Sequence, residues 1–457
     1  MTNENNLIQD KELCRFITCG SVDDGKSTLI GRMLYDSQMI LEDQLNSLIK
    51  DSKKIGTQNG NIDFALLVDG LESEREQGIT IDVAYRYFNT IKRKFIIADT
   101  PGHEQYTKNM ATGASNADIA IILIDARKGV LPQTKRHSYI ASLLGIKQFI
   151  IAVNKMDLVN YSQEIFKKIY NDYQLIIPYL NNDININFIP ISALNGDNIV
   201  TSSSNIQWYS GDTLFKLLDN LEIYKTNNDE FLFPVQYVNR PNLNFRGFCG
   251  NIISGNINEG DNVVILPSNK KTTIKKIIKA NTMLEEKQAR CFDSVTVVTG
   301  DEIDISRGNL IASLNNKTII TNNFQATIIW MSDKKLELDQ RYYIKIANNI
   351  TTIQVQEILY KKDINTLQNI QNDQIMLNDI ALCQINLEEK LALKIYRENK
   401  FLGSFILIDK YTNQTIAAGM IEKILNTTNN CKQYTKAEIE LNKYIRTQYP
   451  EWECKEI

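Results

Sequence analysis

Five apolar runs, separated by longer stretches of mixed polarity, dominate the region 13–200. The runs are CRFITC, KFIIADT, IAIILIDA, QFIIAVNK and INFIPISA, and helix-like stretches lie between them. Strands that are apolar on both faces are typical of a parallel sheet covered by helices on each side. The pattern therefore predicts a doubly wound α/β domain with a mostly parallel sheet.

The pattern changes near residue 200. One amphipathic helix is predicted over TLFKLLDNLEIY, and short strand-like runs follow, with glycines at Gly250, Gly255 and Gly260. Evenly spaced short strands with turns are typical of all-β barrels, and a second β-rich region begins near residue 317. We expect an α/β domain followed by two all-β barrel domains, with limits at 1–229, 230–316 and 317–457.

Composition and charge narrow the functional classes. The chain has 457 residues and a net charge of −3, so no strongly basic surface indicates a nucleic-acid partner. The seven cysteines include no C-x-x-C pair and only two histidines are present, which disfavours zinc. The N-terminus is polar, unlike a secretory signal, and no apolar run approaches the ~18 residues of a membrane span. We expect a cytoplasmic protein without a membrane partner.

The stretch GSVDDGKST, from Gly20 to Thr28, lies between the first predicted strand and a predicted helix. It matches the phosphate-binding loop, whose N–H groups and following helix N-terminus bind a phosphate chain. Lys26 is expected to reach the β- and γ-phosphates, and the Ser27 hydroxyl to bind Mg²⁺. The whole loop is predicted to contact the nucleotide: Gly20, Ser21, Val22, Asp23, Asp24, Gly25, Lys26, Ser27 and Thr28.

A second group of candidate residues follows a later strand and comprises Asp99, Thr100, Pro101, Gly102 and His103. From the end of a strand, Asp99 can hold Mg²⁺, usually through a water. The Gly102 N–H can approach the γ-phosphate, and His103 is expected to orient the attacking water.

Two further residues need an interpretation. Thr80, in REQGITID, lies between these motifs and can bring its hydroxyl to Mg²⁺ and its N–H to the γ-phosphate. His137 lies in a predicted helix, and we assign it a structural role.

The third group selects the base and comprises Asn154, Lys155, Met156 and Asp157. A carboxylate such as Asp157 accepts hydrogen bonds from guanine N1–H and the 2-amino group. Adenine lacks both donors there and would leave the buried carboxylate unpaired. Lys155 can lie along the base, and an N–H near guanine O6 is expected from Ser192, Ala193 and Leu194. All three groups follow strands, where α/β sheets bind ligands, so we expect GTP with Mg²⁺.

The motifs GSVDDGKST, REQGITID, DTPGHEQYTKNM, PQT-x-RH and NKMD together resemble the translational-factor GTPases. The layout of a P-loop GTPase domain and two barrels is similar as well. In that family the histidine after Asp-x-Pro-Gly positions the hydrolytic water, which implies this role for His103. The resemblance also implies a hydrophobic gate at Val22 and Ile79.

Longer stretches resemble one branch, the GTP-hydrolysing subunits of heterodimeric bacterial sulfate adenylyltransferases. They are GSVDDGKSTLIGRML, DGLESEREQGITIDVAYRYF, KRKFIIADTPGHEQYTKNMATGAS, WYSGDTLFKLLDNLE and LNKYIRTQYPEWE. The likeness implies that GTP hydrolysis is coupled to formation of adenosine 5'-phosphosulfate and pyrophosphate from ATP and sulfate. We find no second nucleotide loop for ATP, so adenylyl transfer is expected on a smaller, catalytic partner subunit.

Other functions stay open at this point. A translation factor that carries aminoacyl-tRNA would use the same GTPase machinery. A signalling GTPase without a coupled enzyme is disfavoured by the two barrels, and a decayed copy by the intact motifs. Asp24 separates the phosphate loop from those of elongation factors, and the sequence suggests no role for its carboxylate.

Overall fold

The structure is a computed structural model, and its first sheet has six strands. It describes residues 11–37, 43, 46, 48–50, 52, 62–68, 80, 82–90, 92–223, 230–280, 283–371, 374–425, 436–449 and 454. The strand order is β2-β3-β1-β4-β5-β6. All neighbours are parallel except β2 and β3. The strands are β1 (Glu12–Cys19), β2 (Ala84–Asn89), β3 (Arg93–Asp99), β4 (Ile119–Asp125), β5 (Gln148–Asn154) and β6 (Asn185–Pro190).

Helices cover both faces of this sheet, which confirms the doubly wound prediction. They are α1 (Lys26–Asp36), α2 (Thr107–Ser115), α3 (Pro132–Leu143), α4 (Gln163–Gln174) and α5 (Leu214–Asn220). Successive strand residues point to opposite faces, so Phe16 packs with α1 and α5 whereas Ile17 packs with α2, α3 and α4. Every residue of β4 and β5 is buried, as strands between two helical layers require.

Helix α5 is shorter than the sequence pattern predicts. The predicted stretch runs to residue 224, whereas the helix ends at Asn220 and Leu221 is extended. Arg93 Nη1 on β3 donates to the carbonyl oxygens of Leu218 at 2.9 Å and Leu221 at 2.6 Å. A cation that binds these last carbonyls satisfies acceptors that a helix end leaves open.

The first barrel closes six antiparallel strands in the order β10-β15-β7-β8-β14-β11, because β10 also pairs with β11. Strand β12 pairs antiparallel with β11, and β9 pairs antiparallel with β13. Closure removes the unpaired edges that an open sheet would expose. The strands are β7 (Leu232–Asn242), β8 (Phe245–Asn251), β9 (Ile257–Asn258), β10 (Asn262–Leu266), β11 (Lys270–Lys279), β12 (Glu285–Glu286), β13 (Gln288–Ala289), β14 (Ser294–Thr299) and β15 (Leu310–Ser313).

The second barrel has the same closed plan, with the order β17-β21-β22-β16-β20-β18, a β17–β18 closure and β19 on β18. The alternation predicted from sequence is clearest in β17, where Tyr342, Ile344 and Ile346 face the core. The strands are β16 (Ile319–Trp330), β17 (Arg341–Ile346), β18 (Asn349–Lys362), β19 (Asn369–Ile370), β20 (Ile380–Leu393), β21 (Ser404–Ile408) and β22 (Thr415–Ile424). Helices α6 (Lys400–Gly403) and α7 (Lys436–Gln448) are the remaining α-helices among the described residues.

The sheets agree with the predicted order of one α/β unit and two barrels. The limits 1–229, 230–316 and 317–457 stay predictions, because strand ends do not define units that fold independently. Within the described ranges, no helix combines the length and apolar character needed to cross a membrane.

A buried ion pair joins the two barrels. Lys394 Nζ lies 2.6 Å from Glu230 Oε2, with side chains 3% and 15% exposed. Glu230 directly precedes the first barrel, and Lys394 follows β20 in the second. The backbone N–H of Lys317, in the connection between the barrels, also donates to Glu230 Oε2 at 3.3 Å. The carboxylate therefore holds both barrels and their connector together.

Helix α3 forms one of the contacts between the α/β domain and the second barrel. The carbonyl oxygen of Leu144, at the end of this helix, accepts hydrogen bonds from Tyr396 Oη and Lys400 Nζ, both at 2.9 Å. Near the start of the helix, Lys135 Nζ donates to Asn365 O at 2.8 Å. The second barrel thus contacts α3 at both ends.

Removal of the cation from the buried pair should destabilise the barrels. Lys394→Met keeps the apolar stem but leaves the Glu230 charge without its ion pair, and we expect the free energy of unfolding to fall by about 2–3 kcal/mol. Thermal and urea unfolding measure this loss. The double variant Lys394→Met with Glu230→Gln should recover most of it.

The matched control is Lys276→Met, which breaks an exposed pair with Glu285 of the same 2.6 Å length. Solvent screens that pair, so no measurable loss is expected. Equal melting temperatures for Lys394→Met and Lys276→Met would contradict a stabilising role for the buried pair.

Candidate functional site

The loop Gly20–Thr28 turns tightly between β1 and α1. Gly25 caps the helix with φ of 92°, in the left-handed region that favours glycine. A Cβ at Gly25 would collide with Asn154 Nδ2, and one at Gly102 with Lys26 Nζ. Both predicted glycines are therefore required by close approach of neighbouring groups, and they leave the backbone of a phosphate-type cradle uncovered.

Three hydrogen bonds shape the first half of this loop. The Ser21 N–H donates to Asp24 Oδ2 at 2.6 Å, and the Asp24 N–H returns to Ser21 O at 3.3 Å. The Gly20 N–H donates to His137 Nδ1 at 3.2 Å. Around them, Asp23 is exposed, while the partly buried residues of the loop are Val22, Gly25, Ser27 and Thr28.

Lys26 is folded onto the loop. Its Nζ donates to Gly20 O at 3.2 Å and to Ser21 O at 2.9 Å. Burial lowers the pKa of Lys26, and the nearby carboxylates of Asp99 and Asp24 act in the opposite direction. Among the described residues, the hydrogen bonds of this largely desolvated ammonium go to two backbone carbonyls, and it is well placed to exchange them for phosphate oxygens.

The second predicted group lies beside the loop at the end of β3. Asp99 pairs in register with Thr18 on β1, whose Oγ1 donates to Asp99 Oδ1 at 3.4 Å. Thr100 Oγ1 donates to Thr18 O at 2.6 Å, which ties the two strand ends together. Pro101 and Gly102 are buried, and Gly102 lies against Lys26 Nζ. The structure thus brings this group next to the phosphate loop.

His103 is partly buried. Its Nδ1 accepts a hydrogen bond from the Gln105 N–H at 3.3 Å, so a neutral ring carries its proton on Nε2. The bond sets the tautomer of this histidine and leaves Nε2 as the donor edge of the ring.

Thr80 is buried, at 9% exposure. The residues on either side of it, including Ile79 of the proposed gate, lie outside the described residues. Its roles as a Mg²⁺ ligand and γ-phosphate contact stay predictions.

Asn154 connects the third group to the phosphate loop. Its Nδ2 donates to Asp24 O at 2.8 Å, and its Oδ1 accepts from the Ala193 N–H at 3.0 Å. Ser192 is fully buried, and Leu194 O accepts from Arg32 Nη1 of α1 at 3.2 Å. The predicted stretch after β6 therefore lies next to Asn154. The Ala193 N–H is engaged by that amide rather than open toward a base.

Lys155 and Asp157 follow Asn154 on a one-turn helix. Lys155 has φ of 61°, and its Nζ contacts Asp23 O and lies 3.1 Å from Asp125 Oδ2. Met156 is buried and anchors this turn, since its N–H donates to Ile191 O at 3.2 Å. Asp157 is partly buried in the first turn, where a carboxylate can face a ligand.

Asp125 has a role in the site that the sequence motifs do not predict. This carboxylate ends β4, is fully buried, and accepts from Arg127 Nη2 at 2.7 Å as well as from Lys155. Burial acts to raise its pKa, but the bonds from Arg127 and Lys155 lower it to about 2. Asp125 therefore stays ionised and orients Lys155. Its place at a strand end beside two motifs was a signal that could have revealed it.

The structural role assigned to His137 has a specific form. The ring is fully buried on α3 beneath the phosphate loop, and its Nε2 has no hydrogen-bond partner among the described residues. Burial, together with the charges of Lys26 and Arg136, lowers its pKa to about 3. A neutral ring is needed to accept the Gly20 N–H, so burial keeps the loop contact intact at neutral pH. No local pattern places a helix residue under a loop 117 positions earlier in the chain.

Comparisons with known proteins agree with this architecture. Residues 11–226 match the family model of the elongation factor Tu GTP binding domain, and 323–422 match the GTP-eEF1A C-terminal domain-like model. Sulfate adenylyltransferase subunit 1 of Aliarcobacter butzleri (strain RM4018) is 54% identical over 98% of this chain and 96% of its own length. The protein of that name in Francisella tularensis subsp. novicida (strain U112) is 52% identical, with the same coverage of both chains.

Among solved structures, sup35 complexed with GDP aligns with 93% of this chain and 98% of its own. The TM-score is 0.42 and the sequence identity is 23%.

The buried histidine should make stability depend on pH. The pKa of His137 is about 3 in the folded protein, below its ordinary value of 6.5. The neutral histidine therefore contributes fully to the unfolding free energy above pH 6.5, and this contribution is lost as the pH falls from 6.5 toward 3. Between about pH 7.5 and about pH 5, wild type should lose about 2 kcal/mol more unfolding free energy than His137→Gln. The glutamine amide does not titrate in this range. Urea unfolding at both pH values measures the difference.

The control is His103→Gln, which changes the other, partly buried histidine. It should keep the wild-type dependence in this window. If His137→Gln loses as much stability on acidification as wild type, the buried neutral histidine is not the cause.

Proposed function

The chain belongs to the sulfate adenylyltransferase subunit 1 family, and on that premise we propose that it binds and hydrolyses GTP to drive sulfate adenylation on a partner subunit. Membership makes it a component of an enzyme with a GTPase domain. The observation that carries the proposal is the meeting of Lys26, Gly102 and Asn154 at one loop, in a chain 54% identical to such a subunit.

Guanine selection is assigned to Asp157. The carboxylate lies at the start of a turn that is held by the buried Met156, and Lys155 is oriented beside it by Asp125. Two donors of guanine would meet the two carboxylate oxygens, whereas adenine would bury the charge without a partner. Since Asn154 bonds Asp24 O, the base contacts and the phosphate loop are connected through one side chain.

Mg²⁺ would be held by the oxygens of Ser27, Thr80 and, through a water, Asp99. Hydroxyl and carboxylate oxygens are the ligands that Mg²⁺ prefers. The Thr18 hydroxyl bond orients Asp99, so the donor set fits the ion. When bound, the ion neutralises charge on the β- and γ-phosphates.

Hydrolysis needs positioning and charge stabilisation from the chain. Lys26 would leave the carbonyls of Gly20 and Ser21 and donate to the phosphate chain. His103 would orient the water, and because its Nδ1 already accepts from Gln105, Nε2–H is the group that donates to the water oxygen. Phosphoryl transfer requires little further chemistry from a protein.

The partner subunit would carry out adenylyl transfer. There, a sulfate oxygen attacks the α-phosphorus of ATP, which gives adenosine 5'-phosphosulfate and releases pyrophosphate. The name "subunit 1" of the relatives supports a partner, and the chain has a single phosphate-loop motif, which leaves ATP to that partner. We propose that the segment around Thr80 and the region from Glu104 report the state of the γ-phosphate to the partner.

An elongation factor that carries aminoacyl-tRNA would share the GTP-binding family model. The relatives that span 98% of this chain favour the sulfate reaction instead. Protection of aminoacyl-tRNA by the purified chain, without adenosine 5'-phosphosulfate formation in the presence of its partner, would reverse this choice.

Substitution of the base-reading carboxylate tests the nucleotide. Asp157→Asn replaces one acceptor by a donor, so GTP affinity should fall by about 100-fold. Xanthine carries a carbonyl where guanine has the 2-amino group, and therefore xanthosine triphosphate should bind the variant better than GTP. Calorimetric titration of both nucleotides measures the exchange of preference. A variant that still prefers GTP would place guanine recognition elsewhere.

Removal of the water-orienting histidine tests coupling. His103→Ala, co-purified with the partner subunit, should keep GTP affinity and lose hydrolysis by about 100-fold or more. GTP-dependent formation of adenosine 5'-phosphosulfate should fall in parallel, and phosphate release and product formation are assayed together. The control is Asp157→Asn supplied with xanthosine triphosphate. This variant keeps His103, so it should show both nucleotide hydrolysis and formation of adenosine 5'-phosphosulfate. Hydrolysis by His103→Ala at the wild-type rate would remove His103 from the mechanism.

A further inference from the structure

Asp24 is a buried carboxylate inside the phosphate loop. It is 1% exposed, and its Oδ2 accepts the Ser21 N–H at 2.6 Å. Its Oδ1 has no hydrogen-bond partner among the described residues. A buried carboxylate oxygen without a donor is costly, so its presence in a binding loop calls for a physical role.

The neighbouring charges only partly compensate this carboxylate. The cations that act on it are Lys26 on α1 and Lys128 after β4, and Asp125 at the end of β4 opposes them. From β3, Asp99 faces Lys26 and competes for the same ammonium. On α3, the neutral His137 binds the same loop through Gly20. Lys26 therefore stabilises the charge of Asp24 only while no other anion binds the Lys26 ammonium.

Nucleotide binding changes this balance if the chain binds GTP as proposed above. The phosphate chain would draw Lys26 from the carbonyls of Gly20 and Ser21 and place more negative charge at the loop. We propose that Asp24 sets nucleotide affinity: its carboxylate braces the loop through Ser21, weakens phosphate binding when ionised, and takes up a proton when nucleotide binds.

The proton comes from solvent and attaches to the carboxylate, and no other bond changes. Burial raises the pKa of Asp24 to about 6, although Lys26 and the Ser21 N–H lower it. Departure of Lys26 and arrival of phosphate both raise that pKa further. Affinity is therefore constant below about pH 6, falls as pH rises, and levels off above the pKa of the complex. A lower affinity for GDP at neutral pH favours spontaneous release of this product after hydrolysis.

Two substitutions separate the brace from the charge. In Asp24→Asn the amide oxygen still accepts the Ser21 N–H, but the charge is gone. In Asp24→Ala both are lost. The comparison variant is Glu164→Gln, which removes the same formal charge from an exposed position on α4, outside the predicted nucleotide contacts. Because solvent screens that charge, its effect should be much smaller.

GDP affinity is measured by calorimetric titration from about pH 5.5 to about pH 8.5. This range covers the pH values over which a carboxyl group with a raised pKa loses its proton. At the upper end Asp24→Asn should bind GDP about tenfold more tightly than wild type, and the curves should converge at the lower end. Titration of the GDP phosphates is common to both proteins, so the difference between curves reports Asp24. Asp24→Ala should bind more weakly than Asp24→Asn because the brace is lost.

Thermal unfolding without nucleotide gives a second measurement. Above about pH 7, Asp24→Asn should melt at a higher temperature than wild type, and Asp24→Ala below Asp24→Asn. Wild type that binds no GDP would overturn the proposed function together with this inference. Wild type that binds GDP, with Asp24→Asn no tighter and a parallel pH curve, would overturn this inference alone.

Discussion

The site depends on one side-chain amide, that of Asn154. Its two ends bind Asp24 O in the phosphate loop and the Ala193 N–H after β6, so three loops from three strands share a single hydrogen-bonded centre. The amide lies so close to the loop that a Cβ at Gly25 would collide with Nδ2. Loops at the end of a parallel sheet have few contacts of their own, and such a cross-link gives them a common geometry.

Buried charge is the second constraint on the site. Lys26, Asp24 and Asp125 are all nearly excluded from water, and each is held by a different means. Asp125 has two cations and a lowered pKa of about 2, whereas Asp24 has one backbone donor and a raised pKa of about 6. Lys26 stands between carbonyls and carboxylates. Its ammonium is hydrogen-bonded to carbonyls that it can exchange for other acceptors, which suits the proposed binding and release of phosphate.

Helix α3 extends this arrangement to the second barrel. His137 in its middle accepts the Gly20 N–H, while Leu144 at its end accepts from Tyr396 and Lys400 of the barrel. The helix therefore connects the second barrel to the phosphate loop, because it is hydrogen-bonded to each of them. The barrels are themselves joined by the pair of Lys394 and Glu230, so displacement of one barrel would involve the other.

Local sequence determined much of this protein. Apolar runs predicted the strands of the α/β sheet that carry the site, because a strand buried on both faces must be apolar throughout. The order of Lys26, Asp99, His103 and Asp157 along the chain predicted GTP binding and hydrolysis. Each residue type suits the phosphate, metal ion, water or base that it is expected to contact. Alternation and glycine spacing predicted the barrels, although not the pairings β10–β11 and β17–β18 that close them. The tertiary structure alone decided the length of α5, the charge of Asp125, the bond from Gly20 to His137 and the burial of the Asp24 carboxylate. Each depends on groups distant in sequence or on exclusion of water, and hydrophobic periodicity carries information about neither.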